Sequence, residues 1–510
     1  MRTLSNTFGA ALFVVALSVP AARAQQPQTP DQPQTPDQQQ QTPDQQQQNP
    51  SQGTAPIPAY HSPFASATDI QDTDSQQSTP DNRPLSGAQD LSPLLLPTRS
   101  YWQPQMNAYG TAQSNAPLTA GNSTWTAGAA FSGSLNVHRI SGNSDLSLSY
   151  TAGGVFSGDG GEGNGVVQEM GFGDKFTFRR AVLSIFDQLS YLPGSTFGFG
   201  GLGGLGGTPF PGSGTGLGSV FGPSQTILTG EGQTLGNSFV TEVDTPLNPR
   251  SSLTFAGGYY VLHNFTSDLL NSTNPIFRVG YNRQLTHKDM FAVFYTFSAY
   301  RYSNSNQSVN THTAALSYGR TVTGKLAFQI AGGPQYILSQ FPISVGGATS
   351  GSGGGTGTVA LTSTTQLSWW LSSSVTWVAE RNHFGLTYYH GATNGSGVLA
   401  GSISQTVSGS LTRDASRTFS SGISGGFSRN QGVVVGTTTT TLVGETYDYW
   451  YGSVSLSHPV SPTLGLTLSY TVQYQIPHTA SCVGAACGSN IVANVVSFGV
   501  GWHERPLLFK

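Results

Sequence analysis

Residues 464–474 alternate without a break. Leu464, Leu466, Leu468, Tyr470, Val472 and Tyr474 take every second place, and Gly465, Thr467, Ser469, Thr471 and Gln473 stand between them. Successive side chains of a strand point to opposite faces, so this stretch has one apolar face and one small, polar face. It is longer than the usual soluble strand of about five or six residues and matches the length that crosses a bilayer at a tilt. The polar face carries Ser, Thr, Gly and Gln rather than Lys and Glu. The same pattern recurs from residue 98 to the C-terminus and predicts about eighteen such strands, within a range of sixteen to twenty, because single-chain bacterial barrels have even numbers. Among them are 101–113, 237–243, 366–378, 398–412, 464–475 and 491–502.

The totals agree with strands that meet two different solvents. Charged residues make up 9 % of the chain, against about 25 % in a soluble domain. Gly contributes 65 of 510 residues, yet hydrophobic residues stay at 36 % and mean hydropathy at −0.17. A chain poor in both charge and aliphatic mass has filled its strands with small polar residues, as expected when one face meets lipid and the other a polar lumen. The predicted fold is all-β: a transmembrane, antiparallel, up-and-down β-barrel. The net charge of −3 is uneven. Residues 25–97 hold eight Asp and one Arg, a balance of −7, and Arg2 and Arg23 give +2 before them, which leaves +2 from residue 98 onward. Clustered Lys and Arg are missing, so no nucleic-acid partner is expected.

Three domains follow. Residues 1–24 have the build of a signal peptide: Arg2, an apolar run over 9–19, and Ala22-Arg23-Ala24 as a small-x-small cleavage site, with Gln25 as the mature start. Residues 25–97 repeat Thr-Pro-Asp-Gln at 29–32, 35–38 and 42–45. So Pro-, Gln- and Asp-rich a segment buries too little to offset the entropy of ordering, and is expected to be a disordered periplasmic tether. It serves as a spacer or docks a periplasmic partner or peptidoglycan. Residues 98–510 form the barrel. Its connections alternate between short ones rich in Pro, Gly or charge and long ones rich in Gly, Ser and Asn, as periplasmic turns and outer loops do. The longest, 193–236, carries Gly198–Gly207 among four Phe, and either folds inward as a constriction or stays outside. Trp369, Trp370, Trp377, Trp450 and Trp502 lie toward strand ends, where an interfacial girdle belongs.

Motifs for chemistry are sparse. Gly198-Phe-Gly-Gly-Leu-Gly203 matches a dinucleotide fingerprint but has no strand–turn–helix context. Cys482 and Cys487 share the last long connection. They are close enough for a disulfide in an oxidising compartment; free thiols or a metal pair are the alternatives, and a zinc site lacks its remaining ligands. No nucleophile–base pair is apparent in the ten His. The chain is expected to be no enzyme and to hold no cofactor or metal. Candidate lumen-lining residues are the larger polar ones on the wet face: Arg278, Asn282, Gln284, Gln329, Gln335, Gln366 and Gln473, with Arg301 near a strand end.

Signal peptide, polar tether and amphipathic strands to the end resemble a bacterial outer-membrane β-barrel of the porin-like superfamily. The resemblance spans about 98–510 and rests on pattern, without a diagnostic motif. It implies location in the outer membrane, lipid around the barrel, and assembly by the barrel-insertion machinery. The usual terminal Phe is displaced here to Phe509, before Lys510 and after Pro506, and Phe498, Val500 and Trp502 are the alternative assembly signal. The expected function is a passive diffusion channel or export pore for small polar solutes. The alternative is a non-conducting barrel that works as a surface scaffold or adhesin through its Gly-rich loops. Oligomeric state is not legible in the residues.

Overall fold

In the computed structural model, the described residues are 100–114, 125–158, 165–192, 227, 233–265, 269–303, 307–345, 358–395, 399–416, 418–433, 446–461, 463–478, 490–504 and 507–508. The expected signal peptide, the tether, Cys482, Cys487 and almost all of 193–232 lie outside them. Among the described residues, all regular structure except a turn at Gly395 is strand.

The strands are β1 Tyr101–Ser114, β2 Trp125–Ser141, β3 Ser144–Ser157, β4 Gly165–Thr177, β5 Val182–Leu192, β6 Thr234–Asn248, β7 Ser251–Asn264, β8 Ser272–Gln284, β9 Asp289–Tyr302, β10 Ser308–Thr323, β11 Leu326–Val345, β12 Thr358–Val378, β13 Asn382–Thr393, β14 Ser402–Ser416, β15 Phe419–Gly432, β16 Thr446–Ser461, β17 Leu464–His478, β18 Ile491–His503 and β19 Leu507–Leu508. Each long strand pairs antiparallel with the next in sequence. β18 closes the sheet on β1, from Gln105↔His503 to Gln113↔Val495. The result is a closed, up-and-down barrel of eighteen long strands. β19 extends the closing ladder through Tyr101↔Leu508 and Trp102↔Leu507. Closure pairs every strand edge, which is the requirement for backbone in lipid.

The eight connections of two to four residues, such as 142–143, 249–250 and 417–418, share one rim; the nine longer ones share the other. Gly142 takes φ 58° in the two-residue turn between β2 and β3, a position that favours Gly in a tight hairpin.

Several features differ from the sequence pattern. β6 runs over Thr234–Asn248 rather than 237–243, since its pairing with β7 carries the ladder through Asp244, Thr245 and Pro246 to a bulge before Asn248. β11 and β12 pair as far as Val345↔Thr358, so β12 starts eight residues before the strand expected at 366–378 and the hairpin is extended. Ser and Thr alternate poorly there, and only the partner strand shows the continuation. β14 begins at Ser402, not at 398. Gly401 sits at φ 84°, a left-handed conformation that ends strand geometry, and Leu399 is buried. Finally, Trp370 is buried and shares the inner face, so it is not part of the girdle expected from sequence; its neighbour Trp369 is, because adjacent strand residues must face opposite ways.

The outward face is apolar over most of its height. Leu367 is 75 % exposed, and Ile330, Ile423, Leu468 and Phe498 are exposed beside it. Aromatics mark two levels: Tyr336, Trp369, Phe427 and Trp450 toward the long-loop rim, and Phe328, Trp377 and Phe419 toward the short-turn rim. Tyr336 and Phe328, like Trp369 and Trp377, are eight residues apart, which is about 20 Å along the axis of tilted strands. His390 stacks on Trp369 with centroids 3.7 Å apart, and His312 pairs with the Tyr295 hydroxyl at 2.7 Å. Asp187, midway along β5 and outward, interrupts the belt and accepts from Asn237 Nδ2 at 2.7 Å.

Candidate functional site

Two sectors of the inner wall contrast. In β14–β17 the inward residues are small over the part of the wall toward the short turns, whereas Tyr447, Tyr449 and Tyr451 of β16 and Gln473 and Gln475 of β17 stand inward toward the long-loop rim. Ser404, Thr406, Ser408 and Ser410 of β14 face Asn430, Ser428, Gly426 and Ser424 of β15 across the ladder. Ser453, Ser455 and Ser457 of β16 face Thr471, Ser469 and Thr467 of β17. Their hydroxyls satisfy one another between strands: Ser404 Oγ donates to Asn430 Oδ1 at 2.6 Å, Thr406 pairs with Ser428 at 3.3 Å, and Thr471 donates to Ser453 at 3.0 Å. Side chains this short lie close to the sheet. They coat the wall with polar atoms and fill little of the interior.

In β8–β13 the inward residues are large. Phe294 of β9 and Trp370 of β12 meet edge to face at 5.6 Å, reaching across the small Ala315 and Ala331 of the two strands between them. Tyr389 of β13 completes this buried shelf. Gly391 is needed under it: a Cβ there would stand 2.6 Å from Trp370 Cδ1. Arg278 of β8, 3 % exposed, lays its guanidinium 4.8 Å above the Phe294 ring. One inward row runs Ala256, Arg278, Thr296, Thr313, Gln335 and Ser368 from β7 to β12.

This sector also anchors the β13–β14 connection at the long-loop rim. Tyr300 and Tyr389 hydroxyls both donate to the Ala392 carbonyl, at 3.3 and 3.2 Å. The Tyr302 hydroxyl donates to Asn394 O at 3.1 Å, and Ala392 N donates to Gln335 Oε1 at 3.0 Å. Leu399 is buried against Ile227 and Tyr447, so this connection, a residue between β5 and β6, and β16 meet at the mouth. A closed sheet with an apolar, aromatic-banded outer face and a hydroxyl-rich inner face has one solvent that fits it. The chain is a membrane-spanning β-barrel.

No protein family and no curated protein matches the chain. Among solved structures, OpdQ of Pseudomonas aeruginosa is similar at 9 % identity, 80 % coverage of this chain, 99 % of that chain and a TM-score of 0.39. OccK2 (OpdF) of the same organism, solved with glucuronate, gives 8 %, 80 %, 98 % and 0.39. The ferric-catecholate import receptor Fiu of E. coli K12 gives 9 %, 78 %, 81 % and 0.36. The barrel's own geometry, not this distant likeness, carries the reading that follows.

The seven residues named from sequence all sit on the inward parity of their strands. Asn282 and Gln473 are buried with Arg278 and Gln335; Gln284 and Gln329 are half-buried, and Gln366 is exposed. Asn282 Nδ2 donates to Thr254 at 2.8 Å, and Gln335 Nε2 donates to Thr313 at 3.0 Å. Arg301 lies on the outward parity and donates to Asn310 Oδ1 at 2.7 Å. Sequence reasoning missed Phe294, Tyr300, Tyr302, Trp370 and Tyr389. The signal was in β9, where aromatic residues stand on both faces: Phe291, Tyr295 and Phe297 on one, and Phe294, Tyr300 and Tyr302 on the other, broken only by Thr296 and Ser298. An inward face this aromatic has something packed on it.

Proposed function

We propose that the barrel is a passive diffusion channel for small polar solutes. The observation that supports this reading is the part of the β14–β17 wall toward the short turns, where inward Ser, Thr and Gly fill little of the interior of an eighteen-stranded barrel. Barrels of about sixteen to eighteen strands enclose an aqueous lumen unless side chains or loops occupy it. The path runs along the hydroxyl sector, with the aromatic shelf as its opposite bank. Gln284, Gln329 and Gln366 contribute wet surface, whereas Arg278, Asn282, Gln335 and Gln473 shape the layer behind it. With amides and hydroxyls outnumbering charges, selectivity between ions is weak. Passive passage has no direction of its own, so uptake and export share this geometry. Phe498, Val500 and Trp502, outward on the closing strand, are the proposed signal for the assembly machinery, and residues 25–97 the proposed periplasmic spacer.

One observation favours the non-conducting scaffold instead: the contact of Leu399, Ile227 and Tyr447 at the mouth. Single-channel recording of the purified protein in planar bilayers decides. Stable open steps, enlarged by Leu399→Gly, are expected. Silence from protein that is folded by its heat-modifiable migration would leave the loops as the working surface.

A further inference from the structure

Between the shelf and the anchored β13–β14 connection lies a cavity of about 30 Å³, bordered by Arg278, Thr296, Thr311, Thr313, Gln335 and Tyr389, among others. It is large enough for an ion or one to two waters. Its hydrogen-bonding valence is lopsided. Thr296 Oγ1 already accepts from Arg278 Nε at 2.7 Å, and Thr313 Oγ1 from Gln335 Nε2 at 3.0 Å. The Gln335 carbonyl accepts from Ala392 N, and the Ala392 carbonyl accepts from both tyrosines. These four acceptors each hold a donor, while the two threonine hydroxyls keep a proton to give. Arg278 Nη1 is buried with no partner. A buried guanidinium nitrogen left unpaired costs more than almost any other orphan.

We infer that this cavity is a site for one small inorganic anion of chloride size, held by Arg278 Nη1 and the Thr296 and Thr313 hydroxyls. A water accepts at most two hydrogen bonds, whereas an anion accepts from all three donors at once and places negative charge beside the guanidinium. Glu242 stands inward on β6 in the same row as Arg278, with Ala256 between them, and attracts the guanidinium through space, so its carboxylate is the competing counterion. The anion is structural. It fixes Arg278 on Phe294, and through Thr313 and Gln335 it fixes Ala392 and the connection at the mouth.

The test uses the full-length protein in detergent and follows the temperature at which its folded, fast-migrating band disappears. Sodium chloride is compared with sodium gluconate, whose anion is too large for the cavity, at equal ionic strength. Chloride is expected to raise the midpoint by a few degrees and to saturate. Arg278→Met should abolish that difference and Arg413→Gln, at an exposed arginine, should keep it. Glu242→Gln should steepen the chloride dependence. Equal midpoints in the two salts for the natural protein, or a Glu242→Gln variant that loses the chloride effect, would overturn the site and make Glu242 the counterion. Should Arg278→Met not fold, crystals of the natural protein in bromide decide the same question: an anomalous peak within hydrogen-bonding reach of Nη1 supports the site, and its absence sinks it.

Discussion

The β14–β17 and β8–β13 sectors of the inner wall are built on the same strand geometry and use it in opposite ways. The first puts Ser, Thr and Gly inward, satisfies their hydroxyls from strand to strand, as between Ser404 and Asn430, and keeps its bulk, Tyr449 and Tyr451, toward the long-loop rim. The second puts Phe294, Trp370, Tyr389 and Arg278 inward, buries them on one another and ties a rim connection down through Tyr300, Tyr302 and Gln335. One wall is thin and wet; the other is thick and packed. The difference teaches that a barrel of this size gains side-chain packing asymmetrically. A shelf on one side supplies apolar burial without obstructing the other.

The sharpest way to break the contrast is to hollow out the thick wall. Trp370→Ala removes the centre of the shelf, and a loss of about 3–5 kcal/mol is expected for a buried Trp, together with a larger single-channel conductance. Thermal migration assays and bilayer recording read the two effects; an unchanged conductance would mean that the shelf does not bound the path. The thin wall is tested by two neighbours on β15. Ile423, outward midway between Phe419 and Phe427, should lose about 2–4 kcal/mol on change to Arg, the depth-dependent cost of a lipid-facing cation. Ser424→Arg, one residue on and facing inward, should fold normally and shift the reversal potential in a salt gradient toward anions. Equal destabilisation by both would reverse the assignment of faces.

Smaller effects probe the tie between wall and mouth. Gln335→Ala leaves Ala392 N without its acceptor, so a loss of about 1–3 kcal/mol is expected, with noisier open-channel current. A quiet channel of unchanged stability would show that the tyrosines alone hold the connection. Smallest is the outer blemish at β5. Asp187→Leu combined with Asn237→Leu should raise the unfolding temperature slightly, by under about 2 kcal/mol, and leave conductance as it was. A destabilised double variant would mean that this pair does not face lipid.

Residue order alone determined a good deal. Alternation assigned each side chain to one of two faces, and the lengths of the breaks sorted the connections onto two rims. These are properties of the chain's period and its turn residues, local enough to read from neighbours. Residues 464–475 needed no partner to be recognised as a strand, and β17 keeps that start and runs on to His478. What local pattern does not contain is which inward residues touch. Phe294 and Trp370 are far apart in sequence and meet only because two strands with small inward residues lie between them. Arg278 was legible as an inward cation, but its burial, its ring contact and its unpaired nitrogen belong to side chains on other strands. Leu399 reads as the start of a strand and instead packs at the mouth against Ile227 and Tyr447. The period of the strand decides the face, and only closure of the sheet brings distant strands near enough to decide what that face holds.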